Sequence, residues 1–228
     1  MTIGMPNAAP ANRGDHHRAA GTADQAPRPP LAVDLDGTLT FADTLHEGIL
    51  DLARRSPLQV AVAMQSLWDG KAAVKQSIAA NGHFDPATLP YDPDLLAYLR
   101  AEHAMGRQLG LFTAADQSIA DAVAAHLGLF TVVRGSDGTT NLSGAAKAVA
   151  IEAAFGPNFA YAGDSMTDMP VFSKADTVIL AGPVDRLRAA LPATVQIETS
   201  FPHPPPGLAV WARALRLSVC PATLLGVA

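Results

Sequence analysis

With 228 residues, 49% of them apolar and only 16% charged, the chain can bury the core of one medium domain plus an insertion. A net charge of −5 lacks the basic footprint of a nucleic-acid binder. An anionic substrate must therefore be drawn in locally, by a metal ion or a few placed cations. The single cysteine, Cys220, excludes an internal disulfide and a cysteine zinc cluster, and it suits a cytoplasmic protein.

Residues 1–30 are rich in Ala, Pro, Gly and polar side chains and have no uninterrupted apolar run of the signal-peptide kind. That composition cannot offset its own ordering entropy, so a disordered tail is expected, with His16 and His17 as solvated residues. Order is expected from Leu31, where the short apolar run to Leu35 meets Gly37 and reads as a buried parallel strand ending in a turn. From 44 to 81 the pattern is helix after helix, with Leu45, Ile49, Leu52, Val60, Met64, Leu67, Val74 and Ile78 spaced for one face. A helical cap inserted after the first strand is expected there.

Further apolar runs at 108–113, 131–134, 159–163 and 177–181 alternate with helical patterns at 92–105, 116–127, 144–155 and 169–174. Strands alternating with helices predict a doubly wound, Rossmann-like α/β fold on a parallel sheet, its core formed by 31–43 and 82–200. Ligands of such sheets bind at the carboxyl ends of the strands. From Phe201, Pro202, Pro204, Pro205 and Pro206 predict a stiff linker, followed by a helix over 208–219. Arg213 and Arg216 make that helix a poor membrane span. Peripheral membrane association, docking on a membrane enzyme and packing on the chain's own domain or a twin subunit stay open for it.

Asp34 and Asp36 stand two apart where the first strand ends. Two carboxylates in a confined site repel, and one hard cation with few protein ligands, Mg²⁺ above all, relieves them. The plainer alternative is a turn whose aspartates cap a helix.

The segment Asp34-Leu35-Asp36-Gly37-Thr38-Leu39-Thr40 resembles the first motif of the haloacid dehalogenase (HAD) superfamily. Thr113, ending the run Leu109-Gly110-Leu111-Phe112, resembles the second motif. Lys147, one of four lysines, opens a helix after Gly144 and resembles the third. Gly163-Asp164-Ser165-Met166-Thr167-Asp168 resembles the fourth. The resemblance implies a phosphatase in which Asp34 attacks phosphorus and forms an aspartyl-phosphate. Asp36 then serves as acid and base, and Thr113, with Gly37 and Ala114 beside it, holds phosphoryl oxygens. Lys147 supplies fixed positive charge, and Asp34, Asp36 and Asp164 bind Mg²⁺. Asp168 orients Lys147 or the water shell of the metal. Asp36 argues against dehalogenase chemistry, and Leu35, where P-type ATPases carry Lys, against that branch.

Between Asp36 and Thr113 lie 76 residues, room for a small cap, and between Thr113 and Lys147 only 33. That arrangement resembles the phosphoserine-phosphatase-like group, in which an acidic residue nine positions after the nucleophile helps to recognise substrate. Asp43 stands at that offset, and it serves equally well as the cap of the first cap helix. Stretches such as Thr44-Leu45-His46-Glu47, Thr113-Ala114-Ala115-Asp116, Ser136-Asp137-Gly138-Thr139-Thr140-Asn141-Leu142 and Trp211-Ala212-Arg213-Ala214-Leu215-Arg216 resemble the HAD domain often fused to UbiA-type prenyltransferases. The chain stops before any transmembrane helix of such an enzyme, so prenyl transfer is not expected of it. The likeness adds prenyl and lipid-linked phosphates to small phosphorylated substrates. A phosphotransferase or mutase of the same superfamily, and an accessory docking module for a membrane prenyltransferase, are the rival readings.

Overall fold

The computed structural model describes residues 28–42, 44, 84–137 and 139–203. The expected helical cap beyond Thr44, the tail up to residue 27, and the linker and helix from 204 onward lie outside the described residues, as do Trp68 and Trp211.

Six strands form one sheet: β1 (Leu31–Val33), β2 (Leu109–Asp116), β3 (Val132–Ser136), β4 (Ala160–Gly163), β5 (Thr177–Gly182) and β6 (Gln196–Pro202). They run in the order β3-β2-β1-β4-β5-β6, and every pairing is parallel. The connecting helices are α1 (Pro93–Ala104), α2 (Gln117–Leu127), α3 (Gly144–Phe155), α4 (Met169–Phe172) and α5 (Val184–Ala190). This is the expected doubly wound α/β architecture.

Side chains of a strand alternate between faces, and the core divides accordingly. Leu31 and Val33 of β1, with Leu109, Leu111, Ala160, Ala162 and Ile179, pack beneath α1 and α2. Ala32, Phe112, Tyr161, Val178 and Leu180 face the other way, toward α3, α4 and α5. A strand covered on both sides must be apolar at every position, which is why β1 reads as a continuous run rather than an alternation. Each large side chain buried in this way contributes roughly 1.5–3 kcal/mol. Helix starts follow from capping aspartates: Asp92 accepts from the amides of Asp94 and Leu95, and Asp116 from that of Ser118.

β1 lies between β2 and β4, so the winding direction reverses beside it. The carboxyl ends of β1 and β4 form the crevice in which such sheets place ligands.

Two elements, α5 and β6, were not expected from the sequence. The parallel pairing of β5 and β6 shifts register between Val178 and Ile179, so that Ile197 pairs with Val178 and Thr199 with Ile179. Glu198 is thus an extra residue, which breaks the period-two pattern by which a strand is recognised. Ile197 consequently packs with the α3 side of the sheet and Phe201 with the α1 side. The strand also runs past the expected core limit at 200. Pro202, read as the start of a linker, is its last residue, a place open to proline because an outermost strand has an unpaired side.

Residues just before Leu31, expected as part of a disordered tail, are likewise tied to the core. Arg28 bonds Glu102 at 2.7 Å, and the Pro29 carbonyl accepts from Arg107 Nε at 2.8 Å. Arg107 is buried and also pairs with Glu102 at 2.8 Å and Glu198 at 2.9 Å, while Tyr98 donates to Glu198 at 2.6 Å. This cluster anchors the approach to β1.

Candidate active site

The site is built where β1 stops. The Asp34 amide bonds the Ala162 carbonyl at 3.0 Å, so the backbone stays alongside β4 for one residue beyond the strand. The chain then turns at Gly37, whose φ of +72° favours a residue without a Cβ. A Cβ there would also overlap the Asp164 carboxylate. The turn is closed by Thr40 N–H on the Leu35 carbonyl at 3.0 Å. It is bolted to the segment before α1 by Phe41 N–H on Pro90 O and Asp92 N–H on Leu39 O, both at 3.0 Å.

Asp34 is nearly buried, and its two oxygens have different tasks. Oδ1 accepts the Leu35 amide at 2.8 Å, and Oδ2 faces Lys147 Nζ at 2.9 Å. Lys147 reaches this point from the first turn of α3, on the opposite face from α1. Its ammonium also donates to Asp168 Oδ1 at 3.0 Å and to the Tyr161 hydroxyl at 3.1 Å. Asp164 follows β4, and Asp168 closes the 3-10 turn Met166–Asp168. Thr38 Oγ1 donates to Asp164 Oδ1 at 3.1 Å.

One oxygen from each of Asp34, Asp164 and Asp168 lies within 4.8 Å of the others. Three carboxylates against one ammonium leave an excess of negative charge in a largely dry crevice. Burial, together with Asp168 and Asp164 and against the pull of Lys147, raises the pKa of Asp34 from 3.8 to about 8. Burial likewise raises Asp164 to about 6, with Asp168 adding to it and Thr38 opposing it. Lys147 is pushed up in spite of its burial, because Asp34 and Asp168 favour its charged form. Asp168 Oδ2 is buried and accepts no hydrogen bond. An orphaned carboxylate oxygen and an all-oxygen donor set fit a hard divalent cation of the Mg²⁺ kind.

Asp36 stands apart from the carboxylate trio. Its Oδ1 accepts the Thr44 amide at 2.8 Å and its Oδ2 the Thr44 hydroxyl at 3.1 Å. Thr113 is buried on β2. Val33 is in register with both Leu111 and Ala162, so Thr113 and Asp164 each lie two residues beyond a partner of the last β1 residue. They flank Asp34 from either side. Thr113 Oγ1 accepts the Ala115 amide at 3.0 Å, and the Ala114 carbonyl accepts from Ser136 Oγ at 2.9 Å. Asp43 lies outside the described residues.

Residues 41–173 match the haloacid dehalogenase-like hydrolase family. The chain belongs to that family. The matched range begins just past Asp34 and Asp36. The uncharacterised protein y4nM of Sinorhizobium fredii (strain NBRC 101917 / NGR234) is 36% identical over 189 residues, covering 82% of this chain. The chain spans only 37% of that relative's length. Among solved structures, a Bordetella pertussis Tohama I protein of unknown function superposes with a TM-score of 0.57 at 18% identity, covering 75% of this chain and 98% of its own. A substrate-bound phosphoserine phosphatase superposes with a TM-score of 0.52 at 12% identity, covering 83% and 99%. At such identities the likeness establishes the HAD fold.

Tyr161 and Thr38 were given no role from the sequence, and Thr44 was read only as a possible helix cap. Tyr161 sits among Ala160, Ala162 and Gly163 in β4, and its one polar atom was the available signal. Thr38 and Thr44 both lie near the first motif, but which carboxylate each one meets depends on how the Gly37 turn folds back.

Proposed function

We propose that this HAD-family hydrolase is a Mg²⁺-dependent phosphomonoesterase that works through an aspartyl-phosphate on Asp34. The observation that carries the reading is the Asp34 carboxylate, held 2.9 Å from Lys147 and grouped with Asp164 and Asp168 at the carboxyl end of the central strand. A carboxylate kept in one orientation by Leu35 N–H and Lys147 is a preorganised nucleophile.

Asp34, the Asp36 backbone carbonyl and Asp164 would hold the cation, with Asp168 beside it. When bound, Mg²⁺ neutralises phosphoryl charge and lowers the pKa of the carboxylates around it. Lys147 adds a fixed charge aimed at the same oxygens, the electrostatic contribution on which phosphoryl transfer chiefly depends. Thr113 donates its hydroxyl proton to a phosphoryl oxygen, with Gly37 and Ala114 alongside. Asp36 protonates the leaving oxygen and later takes a proton from the attacking water. The substrate is a small phosphomonoester or a prenyl or lipid-linked phosphate, and Asp43 takes part in recognising it. Among the described residues no helix is long and apolar enough to cross a membrane. Docking on a membrane or membrane enzyme would fall to the segment after residue 203.

The test is hydrolysis of p-nitrophenyl phosphate and of a panel of small and prenyl phosphates, with Mg²⁺, with EDTA, and with Asp34→Asn. Metal-dependent release that disappears in the variant is the expected result. Release that survives Asp34→Asn, or no release together with failure of beryllofluoride to occupy Asp34, overturns the reading.

A further inference from the structure

Thr113 stands where the pairing of its strand fails. β2 and β3 run in step as far as Phe112 opposite Arg134, and they meet again at Asp116 opposite Ser136. Three residues of β2, Thr113 to Ala115, thus bulge against the single residue Gly135. A bulge re-aims its side chains, and it gives up the regular ladder that holds a strand in place. Side chains take over part of that task. Gln117 Oε1 accepts the Gly135 amide at 2.6 Å, and Ser136 Oγ donates to the Ala114 carbonyl at 2.9 Å. A Cβ at Gly135 would lie only 2.8 Å from Gln117 Cα, so a glycine lets β3 come this close to the end of the bulge.

Ser136 is fully buried, and its hydroxyl serves two segments at once. Its proton goes to Ala114 O, while its oxygen accepts the Leu142 amide at 3.0 Å. A hydroxyl donates one proton and accepts as well, so both bonds are made together. Leu142 is buried and stands two residues before Gly144, the first residue of α3, which carries Lys147. Ser143, at the N-cap position of that helix, makes no side-chain cap bond. The placing of α3 therefore leans on the segment that leads into it. One hydroxyl joins the bulge that presents Thr113 to the lead-in of the helix that presents Lys147.

We propose that Ser136 is a positioning residue, which acts through Thr113 by holding the bulge against the lead-in of α3 and so sets Thr113 relative to Lys147. This role rests on the phosphatase reading above, in which Thr113 donates to a phosphoryl oxygen. A donor aimed before the phosphoryl group arrives needs no ordering when it binds, whereas a loosened bulge must be ordered each time. The grouped carboxylates of Asp34, Asp164 and Asp168 follow β1 and β4, so the cation site is built without Ser136.

The test is a double-mutant cycle read on beryllofluoride, a phosphoryl mimic whose binding needs no substrate. Its affinity for the full chain in saturating Mg²⁺ is measured by fluorine NMR for the unmodified protein, Ser136→Ala, Thr113→Val and the double variant. Ser136→Ala should weaken binding by about tenfold, and Thr113→Val by at least as much. The double variant should match Thr113→Val to within about twofold, because a residue that acts through Thr113 then has nothing left to act on. Mg²⁺ affinity without beryllofluoride, followed by calorimetric titration, should stay within about twofold across the set. If the alanine variant fails to fold, Ser136→Cys fills the same space with a weak donor and acceptor and takes its place in the cycle. Unchanged affinity in Ser136→Ala, losses that add in the double variant, or Mg²⁺ affinity that falls in parallel overturns the inference. Any of these, alongside uptake that Asp34→Asn abolishes, leaves the phosphatase reading standing. If the unmodified chain shows no such Asp34-dependent uptake, the inference is overturned, and if it releases no phosphate either, the phosphatase reading falls with it.

Discussion

Lys147 Nζ and the Tyr161 hydroxyl lie 3.1 Å apart inside the layer between α3 and the sheet, both all but inaccessible to water. With Asp34 and Asp168 taking the other two N–H groups, every proton of the ammonium ends on a protein oxygen. The cation is therefore immobilised in position before any substrate arrives, which is the condition for a fixed charge to favour a transition state without reorganising. Burial, with Asp34 and Asp168 next, raises the pKa of Tyr161 well above 10.0, so its hydroxyl stays neutral and available to Lys147.

Tyr161→Phe keeps the edge-on ring contact with Phe172 and deletes only the hydroxyl. An N–H of a buried ammonium is then left without a partner, at a cost of about 1–3 kcal/mol. Urea unfolding should show that loss. The hydrolytic rate should fall by roughly tenfold through the freedom Lys147 gains, a factor equal to about 1.4 kcal/mol.

Without a cation, the folded state holds protons on Asp34 up to about 8 and on Asp164 up to about 6, against 3.8 for either when unfolded. The folded state then binds more protons than the unfolded one. The stability of the metal-free chain is thus highest below pH 3.8 as far as these two groups are concerned, and it declines as pH rises toward about 8. Thermal midpoints in EDTA should fall over that window, and saturating Mg²⁺ should flatten the slope. Mg²⁺ affinity should rise with pH over the same range, because the ion displaces those protons. A midpoint in EDTA that rises from pH 5 to pH 8 would contradict the assigned burial of Asp34.

Gly37→Ala should be disabling out of proportion to its size. The added Cβ collides with the Asp164 carboxylate, and φ of +72° strains any side chain, by about 1 kcal/mol or more. Calorimetric titration should show Mg²⁺ binding weakened at least about tenfold, while the overall fold, followed by circular dichroism, is retained.

The opposite end of the sheet gives a control unconnected with chemistry. Glu102→Ala removes a buried partner of Arg107 and, with it, the bond from Arg28. Stripping one member from a buried ion pair costs about 3–5 kcal/mol, here reduced because Glu198 remains. Denaturant unfolding should register the loss, with kcat/KM of the residual folded enzyme unchanged.

Strands β1 to β5 and the four helices α1 to α4 that connect them were legible in the sequence because burial on both faces forces apolar runs, and Asp92 and Asp116 mark where two of the helices begin. β6 was hidden for the converse reason. It is an outermost strand with Glu198 out of register, so neither continuous hydrophobicity nor clean alternation marks it. Arg28, in a segment whose composition reads as tail, is ordered by an ion cluster whose members come from residues 102, 107 and 198. No local pattern announces a contact of that range.

The sequence by itself determined that this chain is an α/β protein with an Asp-Leu-Asp-Gly turn at the end of a buried strand, while Lys147, Asp164 and Asp168 were expected beside that turn only through the resemblance of their motifs to the HAD superfamily. The strand and its turn are written in residue type and in spacing along one short segment. Only the tertiary structure decided that Lys147 reaches Asp34 from the far face of the sheet, that Tyr161 receives its third N–H, and that Thr44 folds back to grip Asp36. Side chains brought together from separate elements meet through packing, and packing is decided by the whole core at once.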